Sequence, residues 1–135
     1  MTSHDRQTPQ DSPKPPKYTG LTHLYKATTY SLAGLRAAFT HEAAFRHDLL
    51  LALANAVLAV LFLNVTESLV ILSLSLALLA TELLNSAIEA VVDLASPQRH
   101  ELAGRAKDMG SAAVFCLLTA IALFWAIWLV GLLRG

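Results

Sequence analysis

LVILSLSLALLATELLNSAIEAVV, residues 69–92, decides the fold. At 1.5 Å rise per residue these 24 residues extend about 36 Å, and a bilayer core of about 30 Å asks for roughly 20 apolar residues, so the stretch is predicted to be a membrane-spanning helix. It spans only by tolerating Glu82, Asn85 and Glu89. With Asp93 these residues are spaced 3, 4 and 4, which gathers all four within about 60° of one line along a helix. An intramembrane carboxylate costs roughly 2.5–3.5 kcal/mol on insertion scales, so two on one face call for a purpose. That purpose is either chemistry or an interhelical hydrogen-bonded seam in an oligomer.

The rest of the chain supports a membrane reading. Leu49–Leu63 is a short apolar run followed by NVTE, and Ala112–Leu133 is 22 residues without a charge. Over all 135 residues, 55% are hydrophobic and 15% charged, where a soluble chain carries about 25% charged. Ten basic residues balance ten acidic ones, so no basic field exists to neutralise nucleic-acid phosphates. The lone Cys116 excludes intramolecular disulfides and reads as a small buried hydrophobe.

Upstream, residues 20–47 place Leu21, Leu24, Thr28, Leu32, Leu35 and Phe39 at steps of 3 or 4, opposite His23, Lys26, Tyr30 and His41. This predicts an amphipathic helix lying in the membrane surface. Residues 1–19 hold four of the five prolines and no aliphatic run, so they read as a disordered tail with no cleaved signal peptide. Three spans follow, over about 48–64, 68–94 and 110–133. Lys14, Lys17, Lys26, Arg36 and Arg46 precede the first span, Arg99, Arg105 and Lys107 lie between the second and third, and Asn64–Ser68 has neither Lys nor Arg. The amino terminus and the 94–111 loop are therefore predicted to be cytoplasmic.

Depth separates the carboxylates. Counted from Leu69, Glu82 lies about 20 Å in and Glu89 about 30 Å in, at the water's edge. Glu82 suits a general base, and Glu89 suits a hard cation bridging phosphate oxygens. Glu42, in HEAAFRHD (41–48), falls near the edge of the apolar stripe; Glu101, Lys107 and Asp108, in HELAGRAKDMGS (100–111), lead into the third span. Carboxylates and a lysine at one depth fit metal-assisted phosphoryl transfer. The chain has no P-loop and no protein-kinase signature.

The strings GLRAAFTHEAAFRHD (34–48), ELLNSAIEAVVD (82–93) and HELAGRAKDMGSAAV (100–114) resemble the small integral-membrane diacylglycerol kinases of bacteria, and the likeness covers roughly residues 20–133. That resemblance implies an all-α homotrimer, a surface helix plus three membrane helices per subunit, with active sites shared between subunits in the inner membrane. It implies ATP with Mg²⁺ as donor, diacylglycerol as acceptor and phosphatidic acid as product. By the same resemblance Glu82 is the catalytic base, Glu42 and Glu89 hold the metal on the ATP phosphates, and Tyr30, His100, Glu101, Lys107 and Asp108 contact the nucleotide. Ser31, Arg36, Asn85 and Ser111 correspond to residues around the lipid substrate.

Two positions depart from the family pattern: His23 stands where an arginine usually helps hold ATP, and Ser68 where a basic residue is common. The pairing of KDMGSAAV with ELLNSAIEAVVD is closer to the Gram-negative branch than to the undecaprenol kinases of the same family. A small proton-coupled transporter is the alternative from another class, but such proteins carry four spans and one isolated glutamate.

Overall fold

The computed structural model describes residues 20–96, 98 and 100–135, so the tail reading of 1–19 lies outside the described residues. Four helices follow in order: α1 (Leu21–His41), α2 (Ala43–Phe62), α3 (Val65–Ala95) and α4 (Glu101–Arg134). The chain falls into two compact units, the first ending at Leu32 and the second running from Ala33 to Gly135.

Among the described residues the first unit opens at Gly20, whose φ of 68° is a backbone position that glycine adopts without strain. The following helical turns bind their own hydroxyls. Thr28, Thr29 and Ser31 each donate to the carbonyl four residues back, at 3.0, 2.9 and 2.9 Å. Leu24, Tyr25, Tyr30 and Leu32 are exposed.

In the second unit α3 is the central element, packed against α2 on one side and α4 on the other. The helices α2, α3 and α4 are each long and apolar enough to cross a membrane. At 31 residues α3 is about 46 Å long, well beyond a 30 Å hydrocarbon core. Ala59, Ile71, Leu78 and Ile121 form the buried centre, bordered by Leu51, Leu74, Leu117 and Trp125. A polar brace crosses it. Asn55, 1% exposed, donates to Ser75 Oγ at 3.0 Å and accepts from Trp125 Nε1 at 3.0 Å, joining all three helices. Ser75 in turn donates to the Ile71 carbonyl, so every hydrogen-bonding group in the brace is used within the bundle.

The helix boundaries differ from the periodicity. The helix read over 20–47 is broken at Glu42, whose extended backbone (φ −103°, ψ 112°) makes it the N-cap of α2. Arg46 compensates by reaching back to the end of α1 and donating from Nη1 to the carbonyls of Phe39 (3.0 Å) and Thr40 (3.4 Å). The NVTE segment is a helix start. Asn64 accepts from the Glu67 amide and Glu67 accepts from the Asn64 amide, each at 3.0 Å, a reciprocal capping box that leaves only Leu63 and Asn64 between α2 and α3. The third span opens earlier too, at Glu101, capped by His100. Cys116, expected to be buried, is exposed, because the inward face of α4 is carried by Gly110, Val114, Leu117, Leu118 and Ile121.

Candidate functional site

The site is built where the carboxyl-terminal half of α3 meets the beginnings of α2 and α4. Helical spacing lines up Glu82, Asn85, Glu89 and Asp93 on α3, and Glu82 is 4% exposed. Asn85 Nδ2 donates to Glu89 Oε1 at 3.3 Å, which fixes the second carboxylate about two turns below the first. Glu82 is within electrostatic reach of Glu89, of Glu42 and of Asp48. Glu42 sits at the N-cap of α2, but its carboxylate makes no capping hydrogen bond. That leaves it available to a ligand.

From α4, Lys107 Nζ pairs with Asp93 Oδ1 at 2.6 Å and also feels Glu89. Beside this pair opens a cleft of about 520 Å³ lined by Asp93, Ser96, Gln98, His100, Glu101 and Lys107 among others. The His100 ring is oriented by its capping role: Nδ1 accepts from the Leu102 amide at 3.2 Å, so its proton is carried on Nε2. The cleft offers the Lys107 cation, the His100 imidazole and the Gln98 amide beside the carboxylates of Asp93 and Glu101, a mixed polar set.

A second cavity, of about 420 Å³, runs along α3 and α4 and is lined by Leu84, Asn85, Ile88, Met109, Gly110 and Ala113 among others. Gly110 is buried, and a Cβ there would run into Asn85 Oδ1. Gly110→Ala is therefore expected to turn Asn85 away from Glu89 or push α4 from α3, at a cost of about 1–3 kcal/mol. The thermal midpoint in detergent should fall; an unmoved midpoint would show that the two helices are not held at this spacing.

The structure thus gathers Glu42, Glu82, Asn85, Glu89, His100, Glu101 and Lys107 around adjoining parts of one region. Asp108 and Ser111 are exposed on α4 and line neither cavity. Arg36 is exposed on α1, and Tyr30 and Ser31 belong to the first unit. Sequence reading passed over Asp48. It shares the buried face of α2 with Phe45, Asn55 and Ala59, and the spacing of 45, 48, 55 and 59 was the available signal.

Among the described residues no three His, Cys, Asp or Glu side chains converge as a metal cage. Glu42 and Glu89 both act on Glu82 by charge and carry oxygen donors, the donor type a hard cation prefers.

The prokaryotic diacylglycerol kinase family matches residues 29–129. The chain is 52% identical over 111 residues to a diacylglycerol kinase of Haemophilus influenzae, covering 81% of this chain and 93% of that one. It is 50% identical over 125 residues to a diacylglycerol kinase of Pseudomonas aeruginosa (89% and 99% covered). With a diacylglycerol kinase of Escherichia coli the identity is 45% over 110 residues (81% and 90% covered).

Proposed function

The chain belongs to the prokaryotic diacylglycerol kinase family and is an ATP-dependent lipid kinase acting on diacylglycerol, and from that premise we propose how its own side chains divide the work. Glu82 is the general base. The observation that carries this reading is a carboxylate 4% exposed in a membrane helix, within electrostatic reach of Asp48, Glu42 and Glu89. The lipid hydroxyl oxygen attacks the γ-phosphorus of ATP, the bond from that phosphorus to the bridging oxygen breaks, ADP leaves, and the hydroxyl proton goes to Glu82.

Glu42 and Glu89 would hold Mg²⁺, which supplies charge neutralisation on the phosphates when bound. Lys107, beside the cleft, neutralises charge on the nucleotide, and His100, Glu101 and Asp108 contact it. Asn85 orients Glu89 and faces the apolar cavity, which suits an acyl chain; Arg36 and Ser111 complete the lipid site. Asp108 and Ser111 are exposed on α4, and this reading places them in a site completed by a second copy in a homotrimer. The absence of Lys and Arg from the α2–α3 connection supports a cytoplasmic amino terminus and active site in a bacterial inner membrane, with α1 on its surface.

The test is phosphate transfer from γ-labelled ATP by the purified protein in mixed micelles. Diacylglycerol and undecaprenol are supplied in separate reactions, with and without Mg²⁺. Mg²⁺-dependent labelling of diacylglycerol alone is expected. Labelling of undecaprenol alone would keep the chemistry and overturn the acceptor, and labelling that ignores Mg²⁺ would remove the metal role from Glu42 and Glu89.

A further inference from the structure

Residues 49–63 hold a single polar side chain, Asn55. Leucine, alanine and valine stand on every side of this stretch, so hydrophobic burial alone does not choose a rotation for α2 about its axis. Asn55 does choose one. An amide turned toward lipid has nothing to bond, and the groups that satisfy this one lie on two other helices: Ser75 Oγ on α3 and Trp125 Nε1 on α4, each at 3.0 Å. Asn55 is 1% exposed, so water does not compete for these bonds. In coiled coils one buried asparagine of this kind sets the helix register.

The register carries to the far end of α2. Joined by Leu63 and Asn64 alone and packed side by side, α2 and α3 run antiparallel, so equal steps back along α2 and forward along α3 reach one level. About 10 Å from the brace, seven residues along each helix, stand Asp48 and Glu82, both buried. Glu42 lies 13 residues back from Asn55 and Glu89 lies 14 forward from Ser75, about 20 and 21 Å away. The carboxylate at the N-cap of α2 is thus level with Glu89 of α3 to within the rise of one residue. By contrast, the apolar cavity and the Lys107–Asp93 pair are built from α3 and α4 alone. A turn or slip of α2 therefore moves one of the two cation carboxylates and leaves the lipid cavity as it was.

We propose that Asn55 is a positioning residue for the cation: its bonds to Ser75 and Trp125 lock the rotation and level of α2, and so hold Glu42 at the level of Glu89 from about 20 Å away. The proposal rests on Glu42 and Glu89 being the residues that take Mg²⁺.

The test pairs Asn55→Leu with Trp125→Phe. Together they remove the amide and the indole N–H it would orphan, while Ser75 keeps its bond to the Ile71 carbonyl, so the thermal midpoint should stay near the wild-type value. Binding of Mn²⁺ to the full chain in micelles is measured with a non-hydrolysable ATP analogue and no lipid, from the spin-resonance signal of free Mn²⁺ against a protein-free control. Affinity should fall about tenfold or more in the double variant, the range seen when the support of a metal ligand is withdrawn. The Mg²⁺ concentration for half-maximal turnover should rise by a similar factor, with KM for diacylglycerol unchanged. Trp125→Phe alone keeps the Asn55–Ser75 bond and should bind Mn²⁺ as the wild type does. Wild-type Mn²⁺ affinity in the double variant would overturn the proposal, as would equal weakening in Trp125→Phe alone or a parallel rise in KM for diacylglycerol. A Glu42→Gln arm separates the two readings: if it binds Mn²⁺ like the wild type, the cation assignment fails first, whatever the Asn55 variants do.

Discussion

Glu82→Gln is expected to lower kcat by about 10²–10⁴-fold, the contribution a positioned general base makes, while leaving the protein as stable as before or more so. The glutamine amide has nearly the volume of the carboxyl group, so the buried position is neither emptied nor overfilled. It cannot accept the hydroxyl proton. It also removes a charge from the neighbourhood of Asp48, Glu89 and Glu42, so repulsion within the cluster falls. A residue kept for packing shows the opposite coupling, in which activity falls because the fold is lost. The check is kcat at saturating diacylglycerol and Mg-ATP, set beside the thermal midpoint in the same micelles. Near-wild-type turnover would sink the assignment, and a lowered midpoint with proportionate loss of activity would make Glu82 structural.

What could be read from the chain depended on the range of the interaction. The stripe of Glu82, Asn85, Glu89 and Asp93 was legible because a helix repeats every 3.6 residues and the stripe lies within one helix. Three apolar segments long enough to span gave the three membrane helices for the same local reason. The Asn64–Glu67 capping box was also written locally, as N-x-x-E, but the absence of Lys and Arg drew attention to the same residues as a loop. Asp48 and Asn55 were harder to see because each is a single polar residue diluted in an apolar run, and its burial shows only when the face of α2 is compared with α3. The pairs Asn55–Trp125, 70 residues apart, and Asp93–Lys107 were out of reach of any periodicity, since they depend on which helices become neighbours. The break at Glu42 is likewise invisible to hydrophobic spacing, and Arg46 meets the carbonyls of Phe39 and Thr40 at the end of α1.

Lys107→Met should reduce kcat/KM for Mg-ATP by about 10²–10³-fold, in the range seen when one preorganised charge is withdrawn from a developing anion. Lys107 stands in an ion pair with Asp93. Their side chains are 35% and 66% exposed, and a pair so open to solvent contributes little to folding, so stability does not explain a lysine held 2.6 Å from Asp93 at the mouth of the cleft. The pairing instead fixes where the ammonium group stands when no nucleotide is present. Phosphate, carrying more charge than one carboxylate, can then draw Lys107 away from Asp93 at small cost. Asp93→Asn consequently releases the lysine without removing it and should change kcat/KM by severalfold at most, with an unmoved thermal midpoint in both variants. KM for diacylglycerol should stay near its wild-type value in Lys107→Met, because the lysine lines the polar cleft and is absent from the apolar cavity. Equal damage from Lys107→Met and Asp93→Asn would mean that the pair acts as a structural clasp between α3 and α4, and the nucleotide's charge would then have to be met elsewhere.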